Sequence, residues 1–202
     1  MSDATDTVLL TGFPANFLAR RLLAKILATQ TTTRIICLVP RRFMDRAAEL
    51  LDRLTPDELA RVELLRGDSA SMDFGLSGRR YLALAASIDV VHHCAAVTYP
   101  GVARELAERV NVGGTGEVLE LGDASDRLRR LVYWSTTRVS GAREGRVHES
   151  ELIRPARFHN AGEETRFRAE AMVREAMERV PTVILRSSNV VGDSHTGEID
   201  RL

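Results

Sequence analysis

Six short apolar runs recur along the chain, each separated from the next by enough residues for a helix. They are TVLLT (Thr7–Thr11), RIICLV (Arg34–Val39), RVELLR (Arg61–Arg66), IDVVHHC (Ile88–Cys94), RLVYWS (Arg130–Ser135) and TVILR (Thr182–Arg186). Runs this short, rich in Val, Ile and Leu and nearly free of alternation, read as strands buried on both faces. The segments between them are too long for hairpins. Consecutive strands are therefore joined by right-handed crossovers and lie parallel.

The connecting segments carry helical patterns. These run from about Pro14 to Thr29, over Phe43–Leu54, over Arg79–Ala86, from Gly101 to about Leu121, and over Phe158–Val180. Thr55–Glu58 (TPDE) is a helix start, with a Thr cap, Pro first and Glu third. In the last segment Ala169, Met172, Val173, Ala176, Met177 and Val180 form one apolar stripe. Asn160 and Glu163 have the spacing of a capping box, with Asn in place of Ser or Thr. Gly162 is an odd choice there, costing up to roughly 1 kcal/mol relative to Ala. Gly162 and Arg166 are spaced i, i+4 and share a face. The alternation predicts an α/β protein with a doubly wound parallel sheet, a three-layer α/β/α Rossmann arrangement.

Composition narrows the setting. The 202 residues contain 28 basic and 28 acidic side chains, so no net field steers the chain toward nucleic acid or an anionic membrane. No apolar run approaches the ~20 residues that span a bilayer. The opening MSDATDT is polar and acidic, which predicts no signal peptide. Cys37 and Cys94 lie in strand-like runs and read as small buried hydrophobes in a reducing, cytoplasmic setting. One dinucleotide-binding domain is expected over residues 1–186, followed by a loop-like tail, 187–202, on the substrate side.

Candidate site residues cluster where strands end. After the first strand, TGFPANFLA places Gly12 at a turn before a helix N-terminus, as a pyrophosphate requires. The later glycines of the usual fingerprint are missing; Ala15 and Ala19 are the nearest small residues, and Asn16 looks like an insertion. An ordinary strand–helix turn is the alternative. After the second strand stand Arg41 and Arg42, where an acidic residue would favour NAD. Two arginines favour a 2′-phosphate and hence NADP(H), with NADPH preferred; a solvated basic turn is the alternative. Asp68 and Ser69 end the third strand, in reach of an adenine. Adjacent His92 and His93 point to opposite faces and cannot share an ion, so no metal site is expected. Cys94, Ala95 and Ala96 are small enough for a cofactor to pass close to the backbone. Ser135 and Thr136 place hydroxyls at the end of the fifth strand.

Together these segments resemble the extended short-chain dehydrogenase/reductase superfamily, which includes the NAD-dependent epimerase/dehydratases. The likeness is closest to its thioester-reductase branch, which includes fatty acyl-CoA reductases. NVGGTGEVLELG (Asn111–Gly122), STTRVSGAREGRVHESEL and VVGDSHTGEID (Val190–Asp200) carry it most specifically. The resemblance implies bound NADP(H) and hydride transfer to a thioester or carbonyl carbon. It implies cofactor contacts from Thr11, Gly12, Pro14, Ala15, Asn16, Phe17, Arg41, Arg42, Asp68, Ser69, Cys94, Ala95, Ala96, Asn111, Arg166, Ser187, Asn189 and Val190. Thr136 would orient the substrate oxygen. It also allows a homodimer through the Gly101–Leu121 and Phe158–Val180 helices.

Two departures qualify this. The family's N-x-Y-E-x-[ST]-K-x-x-A-E wording is similar to Asn160–Glu170, but the Tyr position is Gly162 and the Lys position is Arg166. Glycine donates no proton, and arginine does not relay one. The resemblance also implies a substrate lobe after the VGDSxTGE loop, so that lobe is expected to be absent or truncated beyond Leu202. Three readings follow. Another group supplies the proton: water through the space at 162, or His159, Tyr99 or Tyr133. Or the protein binds nucleotide without turnover, as a sensor or partner subunit. Or the fold is scaffold alone.

Overall fold

The computed structural model describes residues 5–99, 101–194 and 197. Six strands form one sheet: β1 (Thr7–Thr11), β2 (Arg34–Val39), β3 (Val62–Arg66), β4 (Val90–His93), β5 (Arg130–Thr136) and β6 (Thr182–Ser187). Their order is β3-β2-β1-β4-β5-β6, and every pairing is parallel. The direction of winding reverses between β1 and β4, which is where doubly wound sheets bind ligands. The Rossmann arrangement read from the six runs is the one observed.

The helices are α1 (Phe17–Thr29), α2 (Met44–Leu51), α3 (Pro56–Leu59), α4 (Gly78–Ala85), α5 (Arg104–Ala107), α6 (Gly114–Asp123) and α7 (Ala161–Ala176). Two cores result, one on each side of the sheet. On one face Leu9, Leu38, Val91, Leu131 and Tyr133 pack beneath α4, α6 and α7, through side chains such as Leu84, Leu119 and Val173. On the other, Leu10, Ile35 and Cys37 meet Leu23, Ile26 and Ala47 of α1 and α2. The period-2 pleat separates the adjacent histidines as expected. His93 stacks on Tyr133 at 5.9 Å on the first face, and His92 leans on Trp134 at 6.4 Å on the other.

Several boundaries differ from the sequence pattern, each for a local reason. Helix α1 starts at Phe17, not Pro14, because Asn16 takes the N-cap and accepts from the Ala19 N–H. The 43–54 pattern resolves into a 3₁₀ turn (Arg41–Phe43) and the shorter α2. The expected Gly101–Leu121 helix is broken by a π-turn over Glu108–Gly113, between α5 and α6. In α7, Asn160 caps the Glu163 N–H, but Glu163 does not return a bond to Asn160. Its carboxylate accepts from the His159 N–H at 2.9 Å instead, so the box closes one residue early. At Thr55 and Glu58 both halves of a capping box are present.

Among the described residues β6 has no strand beyond it. Its Ile184 packs on the core, while Val183 and Leu185 are 41% and 40% exposed. No helix among the described residues is long and apolar enough to cross a membrane. Of the Val190–Asp200 loop, His195, Thr196 and residues 198–200 lie outside the described residues.

Candidate functional site

The C-terminal rim of the sheet gathers the residues singled out above. At the end of β1, Gly12 has φ +91°, and a Cβ there would lie 2.9 Å from both the Ala95 nitrogen and the Cys94 carbonyl carbon. Backbone therefore meets backbone, and only glycine fits. Asn16 is bonded to two elements at once. Its Nδ2 donates to the Cys94 carbonyl at 3.0 Å, while its Oδ1 caps α1. One side chain thus fixes the start of α1 against the end of β4. The carbonyls of Pro14 and Ala15 accept from Arg20, and Phe17 is buried. The uncapped N–H groups in the first turn of α1 are what a phosphate binds.

Thr11 faces inward. Its Oγ1 is 2.8 Å from His93 Nδ1 and accepts the Ala95 N–H at 3.2 Å. His93 reaches on to Thr115 Oγ1 at 3.2 Å. Burial, and then the charge of Arg166, lower His93 to about 3, so it ties these strands together as a neutral ring. Burial pushes the Cys94 thiol up to about 12, which removes it as a nucleophile.

Beyond β2, Arg41 and Arg42 are exposed, and the Arg42 guanidinium lies 4.8 Å over the Phe43 ring. Asp68 Oδ1 holds the Ala70 N–H at 3.0 Å. Ser69 is buried, with its carbonyl 3.3 Å from where a Cβ on Gly114 would stand. Both follow β3, on the same rim.

The other half of the rim is built from β5, α7 and the segment after β4. Thr136 Oγ1 accepts the Arg138 N–H at 3.2 Å. Ser187 donates to the Ser135 carbonyl at 3.4 Å, Asn189 accepts from Arg138 Nε at 3.0 Å, and Val190 is half-buried nearby in sequence. Asn111 lies in the π-turn, wholly buried. It accepts the Val97 N–H at 2.8 Å, and donates to the Val97 carbonyl and to Thr165 Oγ1, both at 2.9 Å. The widened turn carries this clamp.

That clamp changes the picture of Gly162. The position is bordered closely by neighbouring atoms. A Cβ on Gly162 would lie 3.0 Å from Asn160 Oδ1 and 3.4 Å from Thr98 Cα. The Val97–Thr98 backbone, pinned by Asn111, borders the residue on the side where a Cβ would stand.

Arg166 is 3% exposed. One Nη donates to the Trp134 carbonyl, and the guanidinium lies 4.9 Å over the Tyr133 ring. Its Nε and Nη1 are buried with no partner. Two orphaned donors on a buried cation are costly and call for a ligand. Among the expected proton donors, Tyr133 is fully buried, and burial pushes its hydroxyl upward against the pull of Arg166. Tyr99 is half exposed. His159 is half exposed too, and its Nδ1 lies 2.8 Å from Glu163 Oε2.

Two carboxylates take on roles here that the sequence pattern did not give them. Glu163 is buried and also accepts from Arg138 Nη1 at 3.3 Å. Glu170 is completely buried and accepts from Ser135 at 2.6 Å, Arg186 at 2.6 Å and Arg174 at 3.0 Å. A signal for Glu170 does exist: it lies one turn from Arg166, between buried Ala169 and Val173.

A parallel sheet with a glycine turn, a helix N-terminus and a buried cation on one rim defines an NAD(P)-binding Rossmann domain of the reductase type. The chain belongs to the male sterility protein family of NAD-binding domains, whose profile matches residues 10–202. It is 34% identical, over 98% of its length, to glycine betaine reductase ATRR of Emericella nidulans, and 30% identical, over 93%, to a linear gramicidin synthase of Brevibacillus parabrevis. It spans 16% and 4% of those two proteins. The terminal R domain of the myxalamid PKS-NRPS pathway superposes with a TM-score of 0.86 at 30% identity, over 99% of this chain and 53% of that one. UDP-glucuronic acid 4-epimerase of Bacillus cereus, solved with NAD, shares the fold at a TM-score of 0.71 and 22% identity. The chain is thus related to thioester-reductase domains, and spans about half of the solved R domain.

Proposed function

We propose that this domain binds NADP(H) and reduces the carbonyl carbon of an acyl thioester or aldehyde. Arg166 carries the reading: a buried cation whose Nε and Nη1 have no partner, at the position that the sequence resemblance gives to the family's lysine. Gly12 and the first turn of α1 would receive the pyrophosphate, Arg41 and Arg42 the 2′-phosphate, and Asp68 and Ser69 the adenine. Thr136 would hold the substrate oxygen. The bound nicotinamide, when reduced, supplies hydride. Two relatives, a glycine betaine reductase and a carboxylic acid reductase of Mycobacterium tuberculosis, support a carboxyl-derived substrate.

Calorimetry tests the cofactor. NADPH is expected to bind about tenfold more tightly than NADH, a difference of about 1.4 kcal/mol. Arg41→Ala with Arg42→Ala should erase the preference. Failure of both nucleotides to bind rejects the proposal. NADPH oxidation by the full-length protein with acyl thioesters and aldehydes tests turnover. Tight binding without turnover would favour the second reading, a nucleotide-binding sensor or partner subunit, which the missing side chain at Gly162 supports.

A further inference from the structure

We propose that His159, held by Glu163, is the proton donor that replaces the missing side chain at Gly162; the inference rests on the reductase reading above. Glu163 is 4% exposed and each of its carboxylate oxygens is occupied. Oε2 accepts the His159 backbone N–H at 2.9 Å and faces its Nδ1 at 2.8 Å. Oε1 accepts from Arg138 at 3.3 Å. Burial raises the Glu163 carboxyl, but the His159 and Arg138 bonds more than offset this and hold it below the ordinary carboxylate range. An ionised, immobile carboxylate on Nδ1 fixes the ring and leaves Nε2 as the nitrogen that exchanges protons.

The ring is also tied, through Glu163 and Arg138, to the end of β5. Arg138 joins Glu163 through its guanidinium and Thr136 through its backbone N–H. Arg138 thus spans from Thr136, whose hydroxyl would hold the substrate oxygen, to the Glu163–His159 pair. His159 precedes the Asn160 cap, at the same end of α7 as Gly162. Its side chain is 53% exposed, so solvent reaches it. Tyr133 offers no such access, being wholly buried.

The chemistry balances. Bound reduced nicotinamide would supply hydride to the carbonyl carbon, and the C=O π pair would go to oxygen. That oxygen takes the proton from His159 Nε2, which is left neutral and is reprotonated from solvent. With a thioester, the resulting hemithioacetal breaks its C–S bond to release thiol and aldehyde.

The test uses the full-length protein with NADPH and an acyl thioester. General acid catalysis contributes about 10²–10⁴-fold. His159→Gln should therefore lower kcat by at least about 100-fold, while KM and NADPH affinity stay within about twofold. Added imidazole should restore part of the rate to His159→Gly. Glu163→Gln should also lower kcat. In ¹⁵N NMR, neutral His159 should carry its proton on Nδ1 in the native protein and lose that preference in Glu163→Gln. A His159→Gln enzyme with native kcat, or a neutral native ring that carries its single proton on Nε2, would overturn the proton-donor role and leave the reductase reading standing. Native protein that binds NADPH and reduces nothing would overturn both.

Discussion

Gly12 and Arg166 lie at the two ends of the candidate site, and their replacement should have opposite consequences for stability. Gly12→Ala forces a side chain into a positive-φ backbone and onto the end of β4. Strain and overpacking together should cost about 2–4 kcal/mol, read as a drop in the denaturation midpoint. Arg166→Met removes a buried charge with two unpaired donors. It also loses the Trp134 bond and the ring contact. Removal of a buried charge in favour of an apolar side chain is often neutral or stabilising. The variant should unfold within about 1 kcal/mol of the native protein, yet bind NADPH at least about tenfold more weakly. A large stability loss with unchanged affinity would assign Arg166 to the core alone.

The helices divide sharply in how much of them the sequence discloses. The apolar stripe read over Ala169–Val180 found the buried face at Ala169, Val173, Ala176 and Val180, whereas Met172 only packs against the core and Met177, just past the end of α7, is exposed. Asn160→Ala should cost about 1 kcal/mol in chemical denaturation, because the Glu163 N–H loses its acceptor. The Gly101–Leu121 region reads as one helix because periodicity reports only which side chains are apolar. The π-turn exists because Asn111 bonds a backbone segment fourteen positions earlier, a pairing that no local pattern contains. The same reason hides the Glu163–His159–Arg138 group. Glu163 matches a capping position, and only the folded chain reveals that its partners are a preceding imidazole and an arginine from beyond β5. Gly12 is legible because a turn between strand and helix demands it, whereas Asn16 takes on meaning only beside Cys94.

On the scale of the whole molecule, six apolar runs are sufficient to give strand number, direction and the doubly wound class, since parallel strands need no partner-specific signal to be recognised. Acid stability is also set globally. Burial raises Glu170, but Arg186, Ser135 and Arg174 outweigh it and hold the carboxyl below its ordinary range. Glu163 is lowered likewise. Groups depressed in the folded state contribute stability above the unfolded carboxylate value, about pH 4.3, and lose it as pH falls through their folded values. The thermal midpoint should therefore decline from pH 6 to pH 3, and Glu170→Gln should flatten that decline while lowering the midpoint at pH 6. A midpoint independent of pH over that interval would contradict the assignment. The outer margin of β6 has a practical corollary. A strand whose hydrogen-bonding edge and two aliphatic side chains meet solvent is a template for another chain. A polypeptide of these residues alone should associate reversibly as its concentration rises, with light scattering that grows faster than the protein added. Handling such a preparation will be governed by colloidal stickiness along one sheet edge well before it is governed by unfolding.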